Sequence, residues 1–349
     1  MTEASPHSTV TAHDALHRLA PAEGRLTVGL ELPLDNDWSP GGESARHVAG
    51  RLPGEPDMSQ HTQRAVLADQ WGIAALWLRD VPLYDPEFGD TGQVFDPFPY
   101  LGYLACATSN VVLGTAAVAL PLRHPLHVAK MASSIDRLSN GRLLLGVASG
   151  DRPIEFPLFN VSHERRAEIL RESIDVLKSA WDSGRQHEKN HPRLLPVPTG
   201  ARIPLVMAGR GGQSLDWLAG NVDGYFTYHR APEMMKPVVT QWRESVAQWY
   251  GDGTFKPLLT TMLVDLCEDP YAKAQPIRFG ARLGREALLD YLGGLRVAGV
   301  NHVAINLRPS VRPVEEVIEE LGRYVVPEFA VSGTEPQSET AAGRTDGVN

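Results

Sequence analysis

The feature of this sequence that most constrains its fold is an alternation of strand-like and helix-like runs, repeated eight times along the chain. Short apolar runs, such as LTVGLEL at 26–32 and HVAINL at 302–307, alternate with longer segments whose apolar residues recur at helical spacing. Because the pattern lacks a series of hairpins, we expect the strands to pair in parallel through right-handed helical crossovers. Eight such units predict an α/β fold of the closed (β/α)8 barrel type, and an open doubly wound sheet is the alternative. The predicted strands are residues 26–32, 74–78, 111–120, 142–148, 203–208, 224–227, 258–266 and 302–307.

The length of 349 residues is within the range of one α/β barrel. We predict a disordered tail at 1–24, a barrel domain at 25–330 and a second disordered tail at 331–349, because both ends are rich in small and polar residues. Two connections, 35–58 and 182–202, are too long for simple turns and are predicted to be insertions. The first follows the carboxyl end of a strand, so it is either an active-site lid or a tolerated surface insertion, whereas the second is predicted to be structural.

Composition limits the classes of partner. The chain has 42 acidic and 33 basic residues, a formal charge of −9 and no basic run, which disfavours nucleic acid and anionic membranes. It has no signal-peptide pattern and no apolar run near the roughly 20 residues of a spanning helix. Cys106 and Cys267 lie in apolar runs, so we predict buried free thiols in a reducing, cytoplasmic setting.

The strongest local signal for function is MAGRGGQSLDW, residues 207–217, which follows the fifth predicted strand. Gly209 and Gly211 lack a Cβ atom, so their backbone N–H groups can approach a ligand closely. Arg210 adds a permanent cation, and a helix that begins near Ser214 offers free N–H groups to a phosphate. The alternative is a flexible glycine turn in which Ser214 only caps the helix.

Two further loops lie at predicted carboxyl ends of strands, where α/β barrels carry their active sites. Ser149 and Gly150 follow the fourth strand and can offer a hydroxyl and a close N–H group, although a plain surface turn fits equally well. Ala116 and Ala117 lie in GTAAVALP, where small side chains let a flat ring approach the backbone. From the spacing alone, close packing inside the barrel is the favoured interpretation of these alanines.

Several common catalytic patterns are absent from the sequence. It has no nucleophile elbow of the G-x-S-x-G kind and no lysine at the end of a predicted strand. Only Glu31 and Asp80 supply carboxylates at strand ends, which is thin support for a metal hydrolase, so we predict no metal site. A phosphate-binding barrel with few nucleophiles indicates a cofactor that supplies the difficult chemistry itself.

Taken together, these residues resemble the luciferase-like monooxygenases, a family of flavin-dependent oxidoreductases, over about residues 26–329. The most specific stretch is 113–150, where TAA, LP, an HP at a helix start and the pattern D-x-L-S-x-G-R occur in order. The resemblance implies a bacterial luciferase-like TIM barrel that binds reduced FMN or a deazaflavin at the carboxyl ends of its strands. It also implies a cis peptide bond between Ala116 and Ala117. The residues predicted to bind the cofactor are Ala116, Ala117, Ser149, Gly150, Gly209, Arg210, Gly211 and Ser214.

One position departs from the family pattern. Where light-emitting members carry a catalytic histidine after the second strand, this sequence has Arg79 and Asp80, so we do not expect light emission. Asp80 is either the active-site base or a partner of Arg79 that shapes the pocket. His229, after the sixth strand, is an alternative acid or base because the ordinary pKa of histidine lies near neutrality. Together with Arg308, these residues are predicted to supply substrate polarity and proton transfer.

The leading hypothesis is a flavin-dependent monooxygenase that uses reduced FMN and O2 to oxidise a small organic substrate. A separate flavin reductase supplies the reduced FMN in this hypothesis, and the family implies a homodimer. A deazaflavin-dependent (coenzyme F420-type) hydride-transfer oxidoreductase, a non-catalytic flavin-binding protein and a flavin-free metal hydrolase are the alternatives.

Overall fold

Apolar strands, covered by helices on their outer side, form the centre of the molecule. The computed structural model describes residues 14–88, 95–182 and 192–329. Within these ranges, eight parallel strands close into a barrel, because the last of them pairs with both the first and the seventh. The predicted (β/α)8 barrel is therefore confirmed, and the open doubly wound sheet is wrong.

The strands of the described residues are numbered in chain order. They are β1 Thr27–Glu31, β2 Ala75–Leu78, β3 Val112–Thr115, β4 Val118–Ala119, β5 Leu143–Ala148, β6 Leu205–Ala208, β7 Gly224–Thr227, β8 Leu258–Leu266, β9 Gln275–Ile277, β10 Gly280–Leu283 and β11 His302–Asn306. The barrel runs in the order β1, β2, β3, β5, β6, β7, β8 and β11. The short β4 pairs with β5, while β9 and β10 form an antiparallel pair attached to β8.

The helices alternate with these strands along the chain. They are α1 Asp14–Leu19, α2 Pro40–Val48, α3 His61–Gln70, α4 Pro97–Ala107, α5 Pro125–Leu138, α6 Glu155–Leu158, α7 Arg166–Trp181, α8 Leu215–Asn221, α9 Pro232–Tyr250, α10 Arg285–Ala298, α11 Val314–Glu320 and α12 Val326–Phe329. A π-helical turn, Leu321–Val325, joins α11 to α12. No helix in the described ranges is both long and apolar enough to cross a membrane.

Alternate strand positions point into the barrel or out toward the helices. Trp77 and Leu259 belong to the inner cluster, and the inward position 29 must be glycine because a Cβ atom there would lie 2.7 Å from the His302 imidazole. Helix α1 closes the amino-terminal end of the barrel, since its Ala15 and Leu19 side chains are buried in the same inner cluster. The opposite, carboxyl end of the barrel is left for the loops that follow the strands.

The chain ends and insertions differ in part from the sequence predictions. Residues 14–24, predicted as part of a disordered tail, instead contain α1, whose side chains are held by the barrel interior. The remaining tail predictions, 1–13 and 331–349, lie outside the described residues. The 35–58 insertion contains α2, and residues 183–191 of the 182–202 insertion are also outside the described ranges.

The prediction of two buried thiols is wrong for Cys106. Both cysteines are free, but Cys106 is exposed and Cys267 is half-buried. Helix α4 is apolar around most of its circumference (PFPYLGYLACA), so no polar face indicates which side points outward.

Candidate active site

Small side chains line the carboxyl rim of the barrel on three neighbouring strands. Ala116 follows β3, Ala148 ends β5 and Ala208 ends β6, and each is half-buried. Ala116 and Ala208 pack against the inner cluster, so they face the barrel interior. The peptide bond between Ala116 and Ala117 is cis, as the resemblance implies. Methyl groups on adjacent strands leave room for a flat molecule above the packed interior.

The loops after β5 and β6 converge at this rim. Val147 lies opposite Met207 in the parallel pairing, so the two loops begin side by side. A Cβ atom placed on Gly211 would lie only 3.7 Å from the Cβ atom of Ser149. The structure thus brings Ser149 and the loop 209–212 to one place, as a shared anion site requires.

The backbone of these loops requires glycine. The φ angles are 80° at Gly150, 66° at Gly209, 56° at Gly211 and 75° at Gly212. Side chains are strained in this left-handed region, and glycine is not. Gln213 ties the loop to α7, because its amide nitrogen donates hydrogen bonds to the carbonyls of Ala167 (2.9 Å) and Gly211 (3.0 Å).

Arg210 and Ser214 occupy the outer part of the same loop. Arg210 is exposed and forms no ion pair with any acidic side chain of the described residues. Ser214 is the N-cap of α8, and its hydroxyl oxygen accepts a hydrogen bond from the Trp217 N–H at 3.1 Å. The capping role is therefore present, while the Ser214 O–H proton remains available to a ligand.

Asp80 forms an ion pair with a residue that was not predicted from the sequence. Its carboxylate receives two hydrogen bonds from the Arg123 guanidinium, at 2.6 and 2.8 Å, and one from the Ala119 N–H at 3.2 Å. Of the two alternatives for Asp80, the one that makes Arg79 its partner is therefore wrong. Asp80 is buried and neutralised, so its geometry suits a structural pairing that joins the loops after β2 and β4 better than it suits a free base.

His229 stands beside Tyr291 after β7. Its Nε2 atom lies 3.0 Å from the Tyr291 hydroxyl, and the two rings stack with an interplanar angle of 18°. Burial lowers the pKa of His229, and the nearby backbone of Thr261 acts in the opposite direction. The buried Nδ1 atom has no hydrogen-bond partner among the described residues. A neutral imidazole near the rim is able to accept a proton.

Arg308 is buried beneath the 35–58 insertion. Its side chain is 3% exposed, its Nε atom lies 3.2 Å from Asp35 Oδ1, and its guanidinium lies 4.7 Å from the centre of the Trp38 ring. Burial raises the pKa of Asp35 to about 6, although the nearby Arg308 charge acts in the opposite direction. Arg308 therefore ties the start of the insertion to the segment that follows β11, and its guanidinium is buried there.

One carboxylate at the rim was recognised in the sequence as a strand-end residue but was given no role. Glu31, the last residue of β1, receives hydrogen bonds from Thr261 and Asn306 on β8 and β11. Its place at a strand end was the available signal, but the partners come from strands more than 200 residues away. Among the described residues, no group of three His, Cys, Asp or Glu side chains is arranged to hold a metal ion.

The sequence matches known proteins along most of its length. A pyrimidine monooxygenase of Methylorubrum extorquens is 25% identical over 342 residues, which covers 93% of this chain and 90% of that protein. An uncharacterised protein of Mycobacterium bovis is 31% identical over 154 residues, or 42% of this chain, and this chain spans about half (54%) of that relative's length.

Solved structures of the same fold have low sequence identity. An F420-dependent secondary alcohol dehydrogenase superposes with a TM-score of 0.67 at 15% identity, covering 88% of this chain and 100% of that one. The oxygenating constituent of the 3,6-diketocamphane monooxygenase of Pseudomonas putida, in complex with FMN, gives 0.64 at 13% identity, covering 88% of this chain and 99% of that one. The family model of the luciferase-like monooxygenases matches residues 39–264, more than half of the chain, and the protein therefore belongs to the luciferase-like monooxygenase family.

Proposed function

We propose that the protein is a flavin-dependent monooxygenase that binds reduced FMN at the carboxyl rim of the barrel and uses O2 to oxidise a small organic substrate. The observation that carries the proposal is the approach of Ser149 to Gly211, which brings the Ser149 side chain beside the glycine loop that also carries the exposed Arg210. Family membership and the likeness to an FMN-containing barrel support the same assignment.

The residues present fit the phosphate of FMN. The Ser149 hydroxyl makes only a long, 3.5 Å contact with the Gly150 carbonyl, so its proton is available to an acceptor. A Cβ atom on Gly209 would meet nothing within 4 Å, so the backbone borders open space there. Arg210 brings a guanidinium that can donate two parallel hydrogen bonds to phosphate oxygens.

In this proposal, the residues of the chain bind and orient the flavin and shield it from water. Reduced flavin, when bound, supplies the electrons with which O2 is activated. Ser149, Arg210, Gly211 and Ser214 hold its phosphate, while Gly150 and Gly209 let the backbone come close. Ala116 and Ala117 border the ring. His229 is the group that accepts or returns a proton, since burial keeps its imidazole neutral.

The 35–58 insertion shields the rim from water. Asp37 pairs with Arg51 across the insertion, and the Tyr84 ring packs so closely on Gly54 that a Cβ atom there would lie 2.0 Å from it. The insertion and the loop after β2 therefore form one cover over that side of the barrel. A site that excludes water limits the side reactions that compete with oxidation of the substrate.

The proposal also concerns the protein's partners. A separate flavin reductase delivers the reduced FMN, and the working form is a cytoplasmic homodimer. A deazaflavin-dependent hydride-transfer oxidoreductase is the second candidate. It is favoured by the superposition on an F420-dependent secondary alcohol dehydrogenase, with a TM-score of 0.67.

The two candidates differ in cofactor and in oxygen use. Titration of the protein with FMN and with F420, followed by absorbance and fluorescence, measures which one binds. We expect FMN to bind in the micromolar range, and the protein with reduced FMN to consume O2 faster when a substrate is present. Binding of F420 alone supports hydride transfer, and binding of neither contradicts both candidates.

We predict that Arg210→Ala weakens FMN binding by about 1.5–3 kcal/mol, the usual contribution of a charge-assisted hydrogen bond. Riboflavin, which lacks the phosphate, provides the control ligand, and its affinity should be the same for both proteins. Arg278→Ala, a change at another exposed arginine, provides the control variant. An equal loss of FMN and riboflavin affinity contradicts a phosphate contact for Arg210.

A further inference from the structure

We propose that Glu31 binds the substrate, and that its carboxylate accepts a hydrogen bond from an O–H or N–H group of an otherwise apolar small molecule. The inference rests on the proposed function only in taking the carboxyl rim as the active site. It assigns a substrate class, an apolar alcohol or amine, and a residue that selects it.

Glu31 lies at the mouth of the barrel, on its inner side. It is the last residue of β1, it lies two positions after the inward-facing Gly29, and it is opposite Trp77 in the pairing of β1 with β2. Trp77 belongs to the buried inner cluster, whereas Glu31 is half-buried. The carboxylate therefore stands above the packed interior, at the level of the rim.

Two neutral donors hold the carboxylate in place. The Thr261 hydroxyl donates to Oε1, and the Asn306 amide donates to Oε2 at 2.9 Å. Each carboxylate oxygen has two lone-pair directions, so acceptor capacity remains on both. Among the described residues, Glu31 forms no ion pair, in contrast to Asp80, which Arg123 neutralises. A half-buried carboxylate without a cation attracts a ligand that brings a donor proton or a positive charge.

The donors themselves are fixed by the fold. The Arg308 N–H donates to Asn306 Oδ1 at 3.1 Å, which leaves the amide NH2 group directed at Glu31. Thr261 lies in β8, and Asn306 ends β11. Three strands thus position one carboxylate, and such support from rigid elements is characteristic of a binding group.

The loops and strand ends of the same rim also carry apolar side chains, which limits the rest of the substrate. Trp38, after β1, is 40% exposed, and Tyr228, after β7, is 59% exposed. The alanines described above lie on the same rim, at the ends of β3, β5 and β6. Exposed aromatic side chains beside small apolar ones favour an apolar body, and the single carboxylate favours one donor group on that body.

The test compares three probes of equal size: 1-hexanol, hexylamine and methyl pentyl ether, the last an isomer of hexanol without a donor. Dissociation constants come from ligand-observed NMR titrations of the protein with and without FMN. We expect the wild-type protein to bind each donor probe at least about tenfold more tightly than the ether.

The matched variants are Glu31→Gln, which keeps the shape of the side chain, and Glu43→Gln, which makes the same charge change on the exposed face of α2. We expect Glu31→Gln to weaken hexylamine binding about tenfold with little effect on the ether, and Glu43→Gln to behave as the wild-type protein. Equal binding of the ether and both donor probes by the wild-type protein overturns the proposal, whether or not the variant folds. So does an unchanged hexylamine affinity in folded Glu31→Gln.

The outcome separates this inference from the proposed function. If the donor preference depends on Glu31 but FMN does not bind, the flavin proposal fails and the assignment of Glu31 stands. If FMN binds and the preference is absent, the assignment of Glu31 fails alone.

Discussion

A histidine in the barrel interior is kept neutral by its surroundings. His302 is completely buried, and its Nε2 atom accepts a hydrogen bond from the Trp77 indole N–H at 2.9 Å. Its Nδ1 atom lies 2.7 Å from the Thr27 hydroxyl, which in turn donates to the Leu19 carbonyl. These contacts use both ring nitrogens of the neutral form, and burial lowers the pKa of His302 to about 3. The network joins α1 to the barrel interior and stays away from the reactive rim.

We predict that His302 makes the stability of the protein fall in mild acid. Between its folded pKa of about 3 and its ordinary value of 6.5, the unfolded chain binds a proton that the folded protein does not. The contribution of neutral His302 to the free energy of unfolding is therefore present above pH 6.5 and is lost as the pH falls. We expect it to decrease by about 2 kcal/mol between about pH 7.5 and pH 5. Urea unfolding of the wild-type protein and His302→Gln at both pH values measures it. The stability gap between the two proteins should narrow in acid, and a constant gap contradicts the prediction.

Individual residues at the rim were predictable from sequence to different degrees. Ser149 and Gly211 could be located because each follows an apolar run, and the ends of parallel strands meet at one edge. The partner of Asp80 could not be located, because Arg123 is 43 residues away and no local pattern favours it over the adjacent Arg79. Local spacing predicts which edge a residue occupies, whereas the choice of an ion-pair partner depends on packing between loops.

The most recognisable stretch of the sequence, D-x-L-S-x-G-R, is a structural joint between α5 and β5. Arg142 is buried and donates hydrogen bonds to backbone carbonyls, including those of Ala105, Thr108 and Val111. Asn140 and Gly141 have φ angles of 55° and 79°, so the chain leaves α5 through two residues in the left-handed region. The motif therefore supports the fold and leaves the chemistry to other loops.

Among the secondary-structure elements, the barrel strands were easier to predict from the sequence than the short peripheral elements. β7 and β8 have the predicted bounds, because buried parallel strands appear as continuous apolar runs. The predicted strand 111–120 divides into β3 and β4 around the cis peptide bond. β9 was missed because its residues, Gln275–Ile277, are mostly exposed and include a proline, and α1 because it is only six residues long.

The loop between β6 and α8 provides a matched pair of glycines. Gly211→Ala and Gly209→Ala both place a side chain at a positive φ, at a cost of about 1–2 kcal/mol each. At Gly211 the new Cβ atom also meets Leu170 Cδ2 at 2.6 Å, and Leu170 is completely buried, whereas Gly209 faces open space. We expect Gly211→Ala to lose about 1–3 kcal/mol more stability, measured by urea unfolding. Equal losses of stability in the two variants contradict this expectation and mean that the Leu170 side chain moves to make room for the methyl group.

In the whole molecule, stability and chemistry occupy opposite ends of one barrel. The amino-terminal end is sealed by α1 and by the Thr27–His302–Trp77 network, with side chains that are fully paired. The carboxyl end carries the glycine loops, an exposed Arg210 and a carboxylate without an ion-pair partner in the described residues. This division follows from parallel pairing, which brings all the strand ends that can carry loops of variable sequence to one side.

Helix α1, which the sequence alone assigned to a disordered tail, allows the separation of stability and chemistry between the two ends of the barrel to be tested. Leu19 ends α1 and is completely buried, while Leu138 ends α5 and is 70% exposed. We expect Leu19→Ala to destabilise the protein by about 2–5 kcal/mol and Leu138→Ala by no more than about 0.5 kcal/mol. Because Leu19 lies at the end opposite the rim, FMN affinity should be unchanged in both variants under native conditions. Urea unfolding and FMN titration measure the two effects, and a small loss for Leu19→Ala means that α1 is not part of the cooperative core.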